Sequence, residues 1–299
     1  MKKDYFFGWY FKLQSDTQTL AIIPAIHQSK QNENCSIQVI SEKETWNVEF
    51  PKEAFLKKEN FICIEKNKFG KRGIHLEIDT SDIKLKGNVL FGARIPLKYD
   101  IMGPFAWISF MECKHYVGSI RHLVNGTLTL NGELYSFQNA LGYWEGDSGS
   151  SFPKEYAWTQ CFFQNGSIML SVADIPMFGF HFTGVIGVVF LYGKEFRLAT
   201  YLGAKVIQLK DGVIRIIQGE FDLEVRVQKQ EYYVANQDNQ HLCSISYDEK
   251  ALKAPIKGSM QRTIHENLVS NVYYRFQKGG QLLFAFESDR ASFEYEYNR

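Results

Sequence analysis

"GWYFKLQSDTQTLAIIPAI", residues 8–26, can be laid without a gap on "AWTQCFFQNGSIMLSVADI", residues 157–175, so that Trp9 meets Trp158 and Ile26 meets Ile175 at an offset of 149. A second pair of segments keeps that offset. "NGELYSFQNALGYWE" (131–145) lies on "GQLLFAFESDRASFE" (280–294), matching Leu134 to Leu283, Phe137 to Phe286 and Glu145 to Glu294. One offset shared by two separated segments, and close to half of the 299 residues, points to a duplicated unit. The expected division is 1–149 and 150–299.

The local pattern within each unit is that of strands. In "TLTLNGELYSF" (127–137) apolar residues alternate around Asn131-Gly132, which can form a two-residue hairpin turn. Asn165-Gly166, Asp211-Gly212 and Gly279-Gly280 repeat the arrangement, because these residues accept the positive φ that such turns need. Long helical periods are scarce. The fold class expected is all-β: two tandem antiparallel β-barrels with few helices, each large enough to close around eight strands and to hold either packed side chains or one small apolar ligand. The segment "GDSGSS" (146–151) falls at the junction of the two halves.

Composition narrows the partners. A net charge of +1 gives no long-range reason to bind nucleic acid or anionic lipid. Aromatic residues make up 15% of the chain, which suits strands and apolar cavities. The N-terminus lacks the features of a secretory signal, and the longest apolar run, "GVIGVVFLYG" (184–193), falls short of the ~20 residues of a membrane helix; a cytoplasmic protein is expected. Five cysteines at no paired spacing, Cys35, Cys63, Cys113, Cys161 and Cys243, read as reduced and mostly packed.

"GYWEGDSGSSFPKEYAWTQ" (142–160) contains Gly146-Asp147-Ser148-Gly149, the letters around the nucleophile of trypsin-like proteases. That mechanism needs a histidine base and an orienting carboxylate upstream. His27, His115 and His122 lack the required neighbourhood, and the half-chain that follows Ser148 does not fit the protease order. Ser148 therefore reads as the serine of a glycine-rich turn. "GVVFLYGKE" likewise misses the phosphate-loop spacing.

Five segments in order, "YFFGWYFKL" (5–13), "LAIIPAIH" (20–27), "GPFAWISFMECKH" (103–115), the 142–160 stretch and "KEFRLATYLGAK" (194–205), together resemble the tocopherol cyclase family, with similarity extending through "MQRTIHENL" (260–268). The family is distantly similar to carotenoid hydratases, which have a tandem lipocalin-like architecture. One departure stands out: members commonly carry tryptophan where this chain has Ser148, so a large aromatic wall is missing or lies elsewhere.

The resemblance implies acid-catalysed ring closure of a prenylated quinol or related isoprenoid, without redox cofactor or metal. The alkene is protonated and the phenol oxygen captures the cation. Such chemistry needs a carboxylic acid kept neutral by burial, aromatic faces and exclusion of water. Asp147 is the expected acid, with Glu145 two residues away on the same strand face as its perturbing neighbour; a turn-capping Asp147 and a salt-bridged Glu145 are the alternative. Glu112 and His115 in "MECKH" form a second candidate cluster that could bind or deprotonate a phenol, and Cys113 with His115 makes a poor zinc site. Trp9, Tyr143, Phe152, Trp158 and Gln160 are the expected ligand wall, although Trp9 and Trp158 read first of all as core plugs near the barrel openings. Arg197 and Tyr201, with Lys205, could hold a polar head group or simply border an exposed strand. The expected partner is a hydrophobic small molecule, met in solution or in transient contact with a membrane surface. A non-catalytic carrier built on the same barrels is the competing reading.

Overall fold

The computed structural model describes residues 4–109, 111–177, 179–228, 231–235, 241–245 and 250–297, with backbone alone at 177, 231–235 and 241–245. The first sheet contains β1 (Tyr5–Gln14), β2 (Thr19–Gln28), β3 (Glu33–Ser41), β4 (Thr45–Pro51), β5 (Phe55–Lys57), β6 (Phe61–Ile64), β7 (Asn67–Gly70), β8 (Gly73–Asp79), β9 (Lys84–Phe91), β10 (Cys113–Leu130) and β11 (Glu133–Gly149). They lie side by side in the order β4-β3-β2-β1-β11-β10-β9-β8-β7-β6-β5. The second contains β12 (Tyr156–Phe163), β13 (Gly166–Met177), β14 (Phe180–Leu191), β15 (Lys194–Ala199), β16 (Lys205–Lys210), β17 (Val213–Gln218) and β18 (Phe221–Val227). After a separate hairpin of β19 (Glu231–Ala235) and β20 (His241–Ile245), it is completed by β21 (Lys250–Ile256), β22 (Ser259–Lys278) and β23 (Gln281–Tyr295). Its order is β15-β14-β13-β12-β23-β22-β18-β17-β16, with β21 also paired to β22. All pairings are antiparallel, and the only helical elements among the described residues are short 3-10 turns. The chain is thus two tandem antiparallel barrels, as expected, with more strands than eight in each sheet because the outer segments break into short hairpins.

The turns show why the hairpins form where they do. Asn131-Gly132, Asp211-Gly212 and Gly279-Gly280 all adopt positive φ. At the fourth site the turn is Gln164-Asn165, one residue earlier than the Asn-Gly rule places it. Asn165 supplies the positive φ, while Gly166 is already in β13, opposite Phe163.

Each sheet curls around its own apolar cluster. In the first, Phe11 stacks on Trp144 (centroids 5.7 Å apart, 14° between planes) and Trp9 meets Trp144 edge-on at 4.9 Å. In the second, Tyr274, Phe276 and Phe293 fill the equivalent space among aliphatic side chains. A third cluster lies between the sheets, where Tyr10, Tyr143 and Val117 of the first meet Trp158, Phe162 and Leu268 of the second. β1 is consequently covered on both faces. That explains why "YFFGWYFKL" shows a near-continuous apolar run instead of a clean alternation.

Loops and β21 lock the sheets together. Gln38 on β3 exchanges two hydrogen bonds with the Lys253 backbone, at 3.0 and 2.8 Å. The Arg290 guanidinium reaches Thr19 (2.6 Å) and Glu42 (2.9 Å). Of the cysteines, Cys35, Cys63, Cys113 and Cys161 are free; the side chain of Cys243 lies outside the described residues. No described helix is long and apolar enough to cross a membrane.

Candidate active site

A large apolar cluster occupies the interior of each sheet, and a cavity lies between the two sheets. It measures about 170 Å³, is partly open, and is walled mainly by apolar residues of both sheets, including Trp9, Phe105, Phe152, Trp158 and Ile264. Its acidic groups and His115 come from the ends of β10, β11 and β23. Alternation along β11 puts Trp144 into the first core and directs Tyr143, Glu145 and Asp147 toward the other sheet. Gly146 is required between them, because a Cβ there would fall 2.7 Å from the Gly8 carbonyl oxygen and from both the Trp9 and Tyr116 rings.

His115 stands directly opposite Asp147 across the β10–β11 pair. Its Nδ1 lies 3.0 Å from Asp147 Oδ1, and its Nε2 lies 3.1 Å from Glu145 Oε2, within ion-pair distance though off the line of a hydrogen bond. Burial alone would push the imidazole's pKa down, but the two adjacent carboxylates outweigh it and hold it well above the usual histidine range. The surroundings of His115 thus favour its charged form. Glu145, buried, also accepts from the Tyr143 hydroxyl and from Trp158 Nε1 at 3.3 Å. Cys113 Sγ donates to Asp147 at 3.5 Å, and burial together with the Asp147 charge raises its thiol pKa far above normal.

The ligand atoms of His115, Glu145 and Asp147 all fall within 4.8 Å of one another, a spacing that could accept a cation. His115 Nδ1 is hydrogen-bonded to Asp147 and its Nε2 lies within ion-pair distance of Glu145 without a hydrogen bond, so in this arrangement the three form an ion-pair network.

The opposite wall carries a second acid. Glu294 on β23 lines the cavity and accepts from the Tyr156 hydroxyl at 2.5 Å. Its cross-strand partner is Glu266 on β22, wholly buried, with Oε1 accepting from Tyr10 at 2.6 Å and Oε2 without a hydrogen-bond partner. Burial pushes the Glu266 carboxyl up to about 7, partly offset by the Tyr10 hydrogen bond and the Lys12 charge. Burial and the Glu266 charge hold Glu294 well above the carboxylate range, against the opposing Tyr156 bond. Lys12, fully buried behind them with Nζ 3.1 Å from the Arg290 carbonyl oxygen, is lowered by burial to about 8.

The structure thus gathers Trp9, His115, Glu145, Asp147, Phe152 and Trp158 around one cavity. Other expected residues are placed differently. Glu112 is exposed and outside the cavity; its backbone carbonyl instead accepts from Ser150 (2.8 Å). Tyr143 is buried behind Glu145, and Gln160 faces Ser167 at 3.4 Å away from the lining. Arg197, on the terminal strand β15, does not line the cavity, because it is buried and spent on Glu195 and on the Tyr99 and Asp100 carbonyls. Tyr201 holds the Ile101 carbonyl at 3.1 Å, so the two residues brace the loop that carries Met102 and Phe105 to the cavity. Ser148 points to the other face of β11, beside a shallow surface depression that includes Lys114. Sequence reasoning passed over Glu294, Glu266, Tyr10 and His27. His27 also lines the cavity, hydrogen-bonded to Ser36 at 2.9 Å and lowered by burial to about 4. The available signal was the match of Glu145 to Glu294.

No protein-family model matches the chain, and no curated protein matches it in sequence. Solved structures share its fold. An AttH-type protein from Nitrosomonas europaea superposes with a TM-score of 0.51 at 10% identity, covering 99% of this chain and 93% of its own. Kievitone hydratase from Nectria haematococca gives 0.53 at 9% identity, over 98% and 89%. CghA in complex with Sch210972 gives 0.55 at 9% identity, over 98% and 88%. At such identities the likeness shows the fold alone, a tandem lipocalin-like architecture.

Proposed function

We propose that the protein is an acid–base catalyst for a hydrophobic prenylated or isoprenoid molecule, adding an oxygen nucleophile across an alkene. Ring closure of a prenylated quinol, the tocopherol cyclase type of isomerisation, is the specific reaction proposed. Protonation and C–O closure leave the oxidation state unchanged, so the reaction calls for no redox cofactor. The observation that carries this reading is an apolar, aromatic-walled cavity into which His115, Asp147, Glu145 and Glu294 all project. A hydratase among the structural neighbours agrees with it.

The cavity's size bears on the substrate. A cavity of ~150 Å³ accommodates one benzene ring, so about 170 Å³ accommodates a single ring of the substrate. A longer isoprenoid tail leaves through the open side. Trp107, 86% exposed, and Phe180, 56% exposed, offer aromatic surface for transient contact with a membrane that holds such a molecule.

Incubation of wild type and Asp147→Asn with prenylated quinols, followed by chiral mass spectrometry for a ring-closed isomer of unchanged mass, tests this. Enantioselective closure lost in Asp147→Asn is the expected result. Quinol bound in native mass spectrometry yet recovered unchanged would establish a carrier instead.

A further inference from the structure

The two walls of the cavity differ at matching positions. Under the 149-residue offset Trp9 corresponds to Trp158 and Glu145 to Glu294, and all four line the cavity. Each glutamate accepts from a tyrosine hydroxyl, Tyr143 on one side and Tyr156 on the other. The same offset carries His115 to Ile264, which also lines the cavity. Glu145 therefore faces an imidazole, whereas the matching neighbour of Glu294 is a hydrocarbon. When environments separate two like groups in this way, they acquire opposite proton-transfer roles.

We propose that Glu294 is the proton donor of this site and that Asp147, beside His115 on the facing wall, receives the proton lost by the nucleophile. This rests on the acid–base reading above. Tyr156 occupies Glu294 Oε2, which leaves Oε1 to carry the proton. Glu266 is a positioning residue. Directly opposite Glu294 in the β22–β23 pair, at a Cβ separation of ~5 Å, it cannot bear a second negative charge beside an ionised Glu294 without cost. It thereby favours the protonated form, consistent with the raised affinity of Glu294 for its proton. On the other wall Asp147 Oδ1 is engaged by His115 and Cys113, leaving its second oxygen as the acceptor.

The step balances. Glu294 O–H breaks as a C–H bond forms at the less substituted alkene carbon, and the tertiary cation is captured by the phenol oxygen as its O–H proton passes to Asp147. The product is an isomer of the substrate. A proton lost from Asp147 to solvent and one regained by Glu294 restore the enzyme.

Two readouts on the full-length protein test the assignment. In turnover of a prenylated quinol, Glu294→Gln, which keeps an acceptor for Tyr156, should lower kcat by ~10²–10⁴-fold with KM little changed. Ile264→His, which gives Glu294 the partner that Glu145 has, should lower kcat in the same direction. At about two pH units above the Glu266 value of about 7, where that neighbour is ionised, infrared difference spectroscopy should show a protonated-carboxyl carbonyl band that is absent from Glu294→Gln. Unchanged kcat in Glu294→Gln, or a band that survives that substitution, overturns the assignment. A wild type that shows the band but closes no ring defeats the catalytic reading while leaving Glu294 as the neutral acid of the cavity.

Discussion

Replacing Glu266 with glutamine should reverse part of the protein's pH dependence of stability. Glu266 is fully buried and its carboxyl is raised from the usual 4.5 to about 7. Between these values the folded state holds a proton that the unfolded state has released, so stability falls as pH rises from 4.5 through 7. At ~1.4 kcal/mol per tenfold change in proton affinity, the full loss above pH 7 is about 3 kcal/mol. Glu266→Gln cannot ionise. Its amide oxygen still accepts from Tyr10, and any cost of its amide N–H where Oε2 had no partner is the same at every pH. His115, whose stabilising charge is lost only as pH rises from 6.5 toward its higher folded value, is present in both proteins and cancels in the comparison. Urea unfolding followed by tryptophan fluorescence at pH 5 and pH 8 gives the double difference. Relative to wild type, the variant should gain about 2–3 kcal/mol on going from pH 5 to pH 8, because part of the loss has already occurred at pH 5, and an equal offset at both pH values would refute the placement of a buried carboxyl with raised proton affinity here.

Other expectations follow from the same geometry. His115→Ala leaves Glu145 and Asp147 facing each other without the imidazolium, which should cost about 3–5 kcal/mol in urea unfolding at pH 6. Gly103→Ala places a Cβ 2.5 Å from the Tyr201 ring at φ +53°, so it should destabilise by about 1–3 kcal/mol and raise KM by shifting Met102 and Phe105, read by calorimetry and kinetics. Trp107→Ser should leave stability within ~0.5 kcal/mol while weakening co-sedimentation with lipid vesicles.

The fold was legible because its signals are local. Asn131-Gly132, Asp211-Gly212 and Gly279-Gly280 each dictate a hairpin through φ alone, whereas Gln164-Asn165 slipped by one residue because asparagine without its glycine can also supply the left-handed position. The expected site was legible where neighbours in sequence are neighbours on one strand face, as with Glu145 and Asp147. It failed where position depends on tertiary packing. Arg197 resembles a ligand-binding cation, yet the carbonyls that consume it belong to residues 99 and 100, nearly a hundred positions away. Glu266 and Glu294 sit in ordinary amphipathic strand patterns, and only the approach of the two sheets turns their exposed face into a buried one.

The location of the cavity on the seam has a genetic consequence. A barrel that must cover one apolar face can do so with an identical copy, but then every wall residue occurs twice and neither side can change alone. Joining the two units in one chain removes that restriction: position 115 can be histidine while position 264 is isoleucine. New chemistry on such a scaffold can therefore arise by single substitutions on one wall, with the apolar cluster inside each barrel left untouched.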